Sequence, residues 1–105
     1  MEQYAGLAAQ GNEQQILGVS DKLNAFSTNA NESAWKRFGA TKGLNDLHIE
    51  LAKRVLDASN EVEKSKFEAA DQAIIQKIEG IKKTETDSQL IMFYNNFPTK
   101  VQARP

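Results

Sequence analysis

The first proline of this chain is Pro98, and the only other is Pro105. Residues 1–97 therefore contain nothing that removes a backbone donor from a helix interior. Alanine, glutamine, glutamate, lysine and leucine are plentiful, and all are good helix formers. The expectation is an all-α fold. At 105 residues the chain makes one domain at most. It is too small to enclose a deep cofactor pocket beside its own core unless it oligomerises, so no cofactor is expected. Cysteine is absent, which excludes disulfides and thiolate metal sites. Thirteen basic residues against 14 acidic ones give a net charge of −1. That balance gives no reason to expect nucleic acid or an anionic membrane as main partner. No apolar run approaches the roughly 20 residues of a membrane span. Residues 1–15 lack a basic region followed by an apolar one, so any export is expected to proceed without a cleaved signal peptide.

Residues 1–11 are small and polar, with Gly6 and Gly11 as weak breakers, and read as a flexible N-terminal arm. From Asn12 the apolar residues Ile16, Val19, Leu23, Phe26 and Ala30 recur at helical spacing. Asn12 followed by Gln15 has the form of a capping box. This first helix fades between Ser27 and Arg37, because Ser27, Thr28, Asn29 and Asn31 compete for backbone hydrogen bonds. Trp35-Lys36-Arg37-Phe38-Gly39 and the following residues to Gly43 read as the turn of a hairpin, near 36–43.

Leu44, Leu47, Leu51, Val55, Ala58 and Val62 then mark a second helix. No glycine or proline interrupts 44–79, which predicts a very long second helix of roughly 54 Å in an antiparallel hairpin over 12–81. From Val62 to Phe67 the apolar seam shifts phase by about 140°. Phe67, Ile74, Ile78 and Ile81 thus lie on a different face. Either the helix wraps one core, bridged by Ala69, Ala70 and Ala73, or Ile74, Ile78 and Ile81 face a partner. Residues 82–97 read as a charged linker and a short C-terminal helix capped by Asp87 or Ser88. Its cluster of Leu90, Ile91, Met92, Phe93, Tyr94 and Phe97 must be covered, by the hairpin or by a partner. Residues 98–105 read as a disordered tail.

Catalytic patterns are absent. His48, the only histidine, falls on the edge of the second helix's seam and reads as a half-buried side chain. The acidic pairs Glu61/Glu63 and Glu79/Glu85 lack the spacing of metal ligands combined with histidine. No phosphate loop, nucleophile elbow or zinc motif occurs. Lys36, Arg37 and Lys42 interleave with Trp35 and Phe38, a combination that single-stranded nucleic-acid sites also use. Aromatics packed inward beneath a solvated basic turn account for the same residues, and that reading is preferred. The expectation is a binding protein and not an enzyme.

The organisation resembles the small WXG (Trp-x-Gly), ESAT-6-like proteins of type VII secretion: a proline-free chain of two antiparallel helices with an aromatic-glycine turn. Trp35, Phe38 and Gly39 stand where that turn motif falls, although Trp35-Lys36-Arg37 lacks its glycine. Phe67-Glu68-Ala69-Ala70-Asp71 matches the Phe-x-x-x-Asp motif of the relatives that partner LXG toxins. The resemblance spans roughly residues 13–81, and the chain continues past Asp71, where many members stop. It implies a targeting partner that binds the helical N-terminal domain of a secreted LXG-type toxin, a homologous small protein, or a second copy of itself. Phe67 and Asp71 would carry the export signal, and the protein would be cytoplasmic before secretion. Two alternatives remain open. Asp71–Ile78 is similar to the tail of type III needle subunits, which form helical polymers, and a stand-alone helical regulator or immunity protein would share the same pattern.

Overall fold

Side-chain caps, with no help from proline, set the helix boundaries. In the computed structural model, which describes residues 2–97, the chain forms five helices and no strand: α1 Glu2–Gln10, α2 Glu13–Ser27, α3 Ala34–Leu56, α4 Glu61–Thr84 and α5 Ser88–Asn95. The Asn12 carboxamide accepts from the Gln15 amide while the Gln15 side chain accepts from the Asn12 amide, the reciprocal box that starts α2. Ser33 starts α3 by accepting from the Lys36 amide, Asn60 starts α4 by accepting from the Glu63 amide at 2.8 Å, and Asp87 starts α5.

Three expectations are corrected by these boundaries. The long second helix does not exist. It breaks at Asp57-Ala58-Ser59-Asn60, where three short polar side chains offer the backbone other partners and Asn60 begins a new helix. The molecule is 42 Å in its longest dimension, shorter than the ~54 Å rod would be. The antiparallel pair is therefore α3 with α4, joined at residues 57–60. The segment 36–43 is not a turn, since it forms the first turns of α3. The real α2–α3 connection is 28–33, where the Asn31 amide bonds the Asn29 side chain. Residues 2–10 are helix and not a loose arm: Ala8 is fully buried, with Tyr4 and Leu7 packed beside it. The tail at 98–105 lies outside the described residues.

α3 is the hub and the one helix in contact with all four others. Its buried stripe of Leu44, Leu47, Leu51 and Val55 meets Ile16 of α2, Ala8 of α1 and Phe67, Ala70, Ile74, Ile78 and Ile81 of α4 in one core. Gly43 permits a close approach. A β-carbon there would sit 3.2 Å from Leu23 and 3.3 Å from Tyr4, so α1 and α2 close onto α3 over a bare backbone. α5 folds back against α3 and α4 with Leu90 and Tyr94 buried. Met92 and Phe93 remain exposed.

Candidate functional site

Two regions hold the residues singled out by the sequence. The first lies between α3 and α4. Phe67 is 6% exposed and Asp71 7% exposed, so both belong to the interior. One turn apart on α4, they face α3 together. Asp71 Oδ1 lies 2.7 Å from His48 Nδ1. A carboxylate can only accept, so the imidazole carries its proton on Nδ1 and donates it. Phe67 supports the guanidinium of Arg54, which lies 3.7 Å above the ring centroid. Arg54 Nη1 also donates to the carbonyls of Gly11, at 2.6 Å, and Ala8, at 3.2 Å. A cation is thus held against the C-terminal end of α1, where the helix dipole favours it. The Phe-x-x-x-Asp pair fastens α4 to α3 and, through Arg54, α1 to both.

Ile74, Ile78 and Ile81 do not face a partner. They are 0%, 5% and 2% exposed and complete the core with Leu44, Leu47 and Leu51. The phase shift after Val62 is real, but its cause is a new helix and not a second seam. Val62 itself is 70% exposed.

His48 separates two small clefts. One of about 240 Å³ is lined by Val55, Leu56, Glu68 and Asp71 among others, and one of about 70 Å³ by Asn45, Ile78 and Lys82 among others. A tautomer-fixed imidazole is half of an acid–base device. Neither cleft brings a hydroxyl or thiol to it. Among the described residues no group of three or more His, Asp or Glu side chains is placed to hold a metal ion.

The second region is the aromatic end, around the first turns of α3. Trp35 and Phe38 stack at 5.9 Å, and Phe38 meets Phe93 edge-on at 5.6 Å and Phe97 at 5.9 Å. Tyr94 lies parallel to Phe38 at 6.4 Å. The sequence suggested that Trp35 and Phe38 pack inward, and only Phe38 does, half-buried against Tyr94. Trp35, by contrast, is 80% exposed, and Phe93 and Phe26 are exposed as well. Trp35, Phe38 and Gly39 therefore share a helix start and not a hairpin turn. Behind them, Arg37 Nη1 reaches both oxygens of Glu85, at 2.6 and 2.7 Å. This pair links α3 to the α4–α5 junction, and the carboxylate bonds hold the Arg37 guanidinium above its usual value. Sequence reasoning read Glu85 as part of a charged linker. Nothing in the residue spacing pairs it with Arg37, 48 positions earlier.

Tyr94 is fully buried, yet its hydroxyl has no hydrogen-bond partner at ordinary distance among the described residues. Burial pushes the phenol above its usual value, and the nearby Thr41 hydroxyl pulls the other way. The folded pKa lies above the unfolded one, so stability is complete below about pH 10 and falls as pH rises through the folded value. Tyr94→Phe should leave neutral-pH stability unchanged or raise it by up to about 1 kcal/mol, since no bond is lost and a stranded donor is removed. It should also flatten the alkaline decline in urea midpoints measured from pH 8 to 11. A loss of more than about 1 kcal/mol at pH 7 would mean that the hydroxyl is bonded.

Among the described residues no helix is long and apolar enough to cross a membrane. In comparison with known proteins, the chain matches no protein-family model, no curated protein and no solved structure.

Proposed function

We propose that this chain is a small, non-catalytic helical adaptor that docks another helical protein on its aromatic end. The observation that carries this reading is Trp35, an indole left 80% in water yet held in place by its stack on Phe38. Large aromatics held rigid lose little entropy on binding, and tryptophan is the residue most enriched among binding hot spots. Phe93, exposed and edge-on to Phe38, extends the same apolar surface.

The resemblance to partners of LXG toxins supplies a setting. In it the chain would accompany the helical N-terminal domain of a secreted toxin through type VII secretion. The contact role then passes from Phe67 and Asp71, which the bundle uses internally, to Trp35 and Phe93. A stand-alone regulator or immunity protein is the second reading, favoured by the closure of the Ile74–Ile81 seam within the chain. The needle-type polymer loses its support, because the segment it drew on supplies Ile74 and Ile78 to the core.

Sedimentation and co-expression test the proposal. Alone, the protein should run as an 11.7 kDa monomer. Co-expressed with a helical toxin domain encoded beside it, it should form a discrete heterodimer. Trp35→Ala should weaken that complex about 30-fold, the effect of a 2 kcal/mol hot spot. Because the side chain is exposed, folding stability should move by less than about 0.5 kcal/mol. A heterodimer indifferent to Trp35→Ala removes the aromatic end from the interface. A monomer that pairs with no such domain supports the regulator.

A further inference from the structure

A groove of about 280 Å³ lies among α1, α2 and the start of α3. Leu23, Phe26 and Tyr4 form its apolar walls, Gly39 lies in its floor, and Lys22 and Lys36 stand at its rim. No acidic residue lines it. Lys22 pairs with no carboxylate among the described residues, and Lys36 makes only a long 3.9 Å contact with Glu32, with its own side chain 64% exposed. Phe26 is 40% exposed, a large ring left open on the groove wall.

Gly39 sharpens the picture. It sits inside α3, where glycine is unfavourable relative to alanine. Its backbone is ordinary, since no glycine among the described residues has a positive φ. A β-carbon at this position would meet nothing within 4 Å. The fold therefore does not require a glycine here, whereas a residue entering the groove would meet bare backbone.

We propose that this groove receives one apolar side chain from an acidic amphipathic helix, with a flanking carboxylate of that helix set between Lys22 and Lys36. The proposal rests on the adaptor reading and names the partner's chemistry. Apolar walls select a side chain, and the two rim ammonium groups, Lys22 without a carboxylate partner among the described residues and Lys36 only loosely paired with Glu32, select its neighbours. An acidic segment gains charge pairs at the rim, and a basic one meets like charges. Nucleic acid fits less well, because two lysines around a mainly apolar groove give no phosphate-tracking stripe.

Trp35 is the only tryptophan and precedes Lys36 directly, so its fluorescence reports occupancy. The full chain is titrated with an alanine-based helical peptide of about 18 residues bearing a leucine flanked by glutamates. A matched peptide with lysines in place of the glutamates, and an oligo-deoxythymidine, serve as the other probes. The glutamate peptide should saturate the signal, the lysine peptide should bind at least tenfold more weakly, and raised salt should weaken the glutamate peptide. Gly39→Leu fills the groove without touching the core and should reduce affinity at least tenfold, with helicity by circular dichroism unchanged. Lys22→Glu, at an exposed site, should do the same if Gly39→Leu perturbs folding. Equal binding of both peptides, wild-type affinity in Gly39→Leu or Lys22→Glu, or tighter binding of the oligonucleotide would overturn the proposal. A toxin-domain heterodimer that survives Gly39→Leu but not Trp35→Ala rejects the groove and keeps the adaptor. A glutamate peptide that fails to bind a chain still able to form the toxin-domain heterodimer rejects the acidic-helix partner and keeps the adaptor.

Discussion

Phe67→Ala should destabilise the protein by about 4 kcal/mol in urea unfolding at neutral pH, the usual penalty for emptying a buried phenylalanine site. Two terms contribute. Removing the ring leaves a cavity in the core that Phe67 shares with the α3 stripe and with Ala70 and Ile74. It also takes away the surface on which the Arg54 guanidinium rests at 3.7 Å. Arg54 is the side chain that closes the end of α1 through Ala8 and Gly11, so α1 should loosen along with the core. Amide exchange in α1 should accelerate beyond the global change, whereas a simple core cavity would spare it. Domains of this kind have roughly 5–15 kcal/mol in total, so the variant stays marginally folded or unfolds. Phe67→Leu, which keeps most of the volume, should recover more than half of the loss. An unchanged midpoint for Phe67→Ala would place the ring on the surface and return Phe67 to the role of an export signal.

The helical class was legible because nothing before Pro98 opposes it, and the α2 start was legible because Asn12 and Gln15 form a box within four residues. Local signals of that kind survive in any tertiary setting. The break between α3 and α4 was not legible from the absence of glycine and proline in 44–79, although the short polar side chains that end the first helix near Ser27 have their counterparts here. Asp57, Ser59 and Asn60 carry the same information through their side chains, and the phase shift between Val62 and Phe67 was its second trace. The Trp35–Gly43 segment failed in the opposite sense. Its glycines looked like a reversal, but Ser33 already caps a helix there, and Gly43 serves the approach of Tyr4 and Leu23 instead. α1 was hidden by its small residues, although Tyr4, Leu7 and Ala8 hold the i, i+3, i+4 spacing of a buried face.

The candidate site was legible only as a list of residue types. Phe67 and Asp71 were correctly placed on one helical face, but a sequence cannot say whether that face meets solvent or Arg54 and His48. Both partners lie on another helix, 13 and 23 positions away, and no local rule joins them. Exposure of Trp35 is equally invisible, since it depends on which face of α3 the neighbouring helices leave uncovered, and no local rule supplies that.

Glu85→Ala should cost about 3 kcal/mol, because the Glu85 carboxylate serves three elements at once. Its side chain is 3% exposed, and Arg37, at 18%, is mostly withdrawn from water too. One Arg37 nitrogen approaches both carboxylate oxygens. The same Oε2 accepts from the Thr86 and Asp87 amides, both at 3.1 Å, just before α5 begins. Truncation leaves a guanidinium short of its counter-charge and two amides short of an acceptor, and removing one partner of a buried pair is the expensive way to break it. The loss should be nearly independent of salt, unlike that of a solvent-exposed pair. Arg37→Leu combined with Glu85→Leu should be milder than either leucine change alone, since the stranded charge is then gone as well. A coupling energy of about 2 kcal/mol in that cycle is the expected result. Should the single and double variants simply add, α5 is held to α3 by Phe38, Leu90 and Tyr94 without help from the ion pair. The aromatic end would then depend on ring packing alone, and Glu85→Ala would leave Trp35 emission and docking affinity untouched.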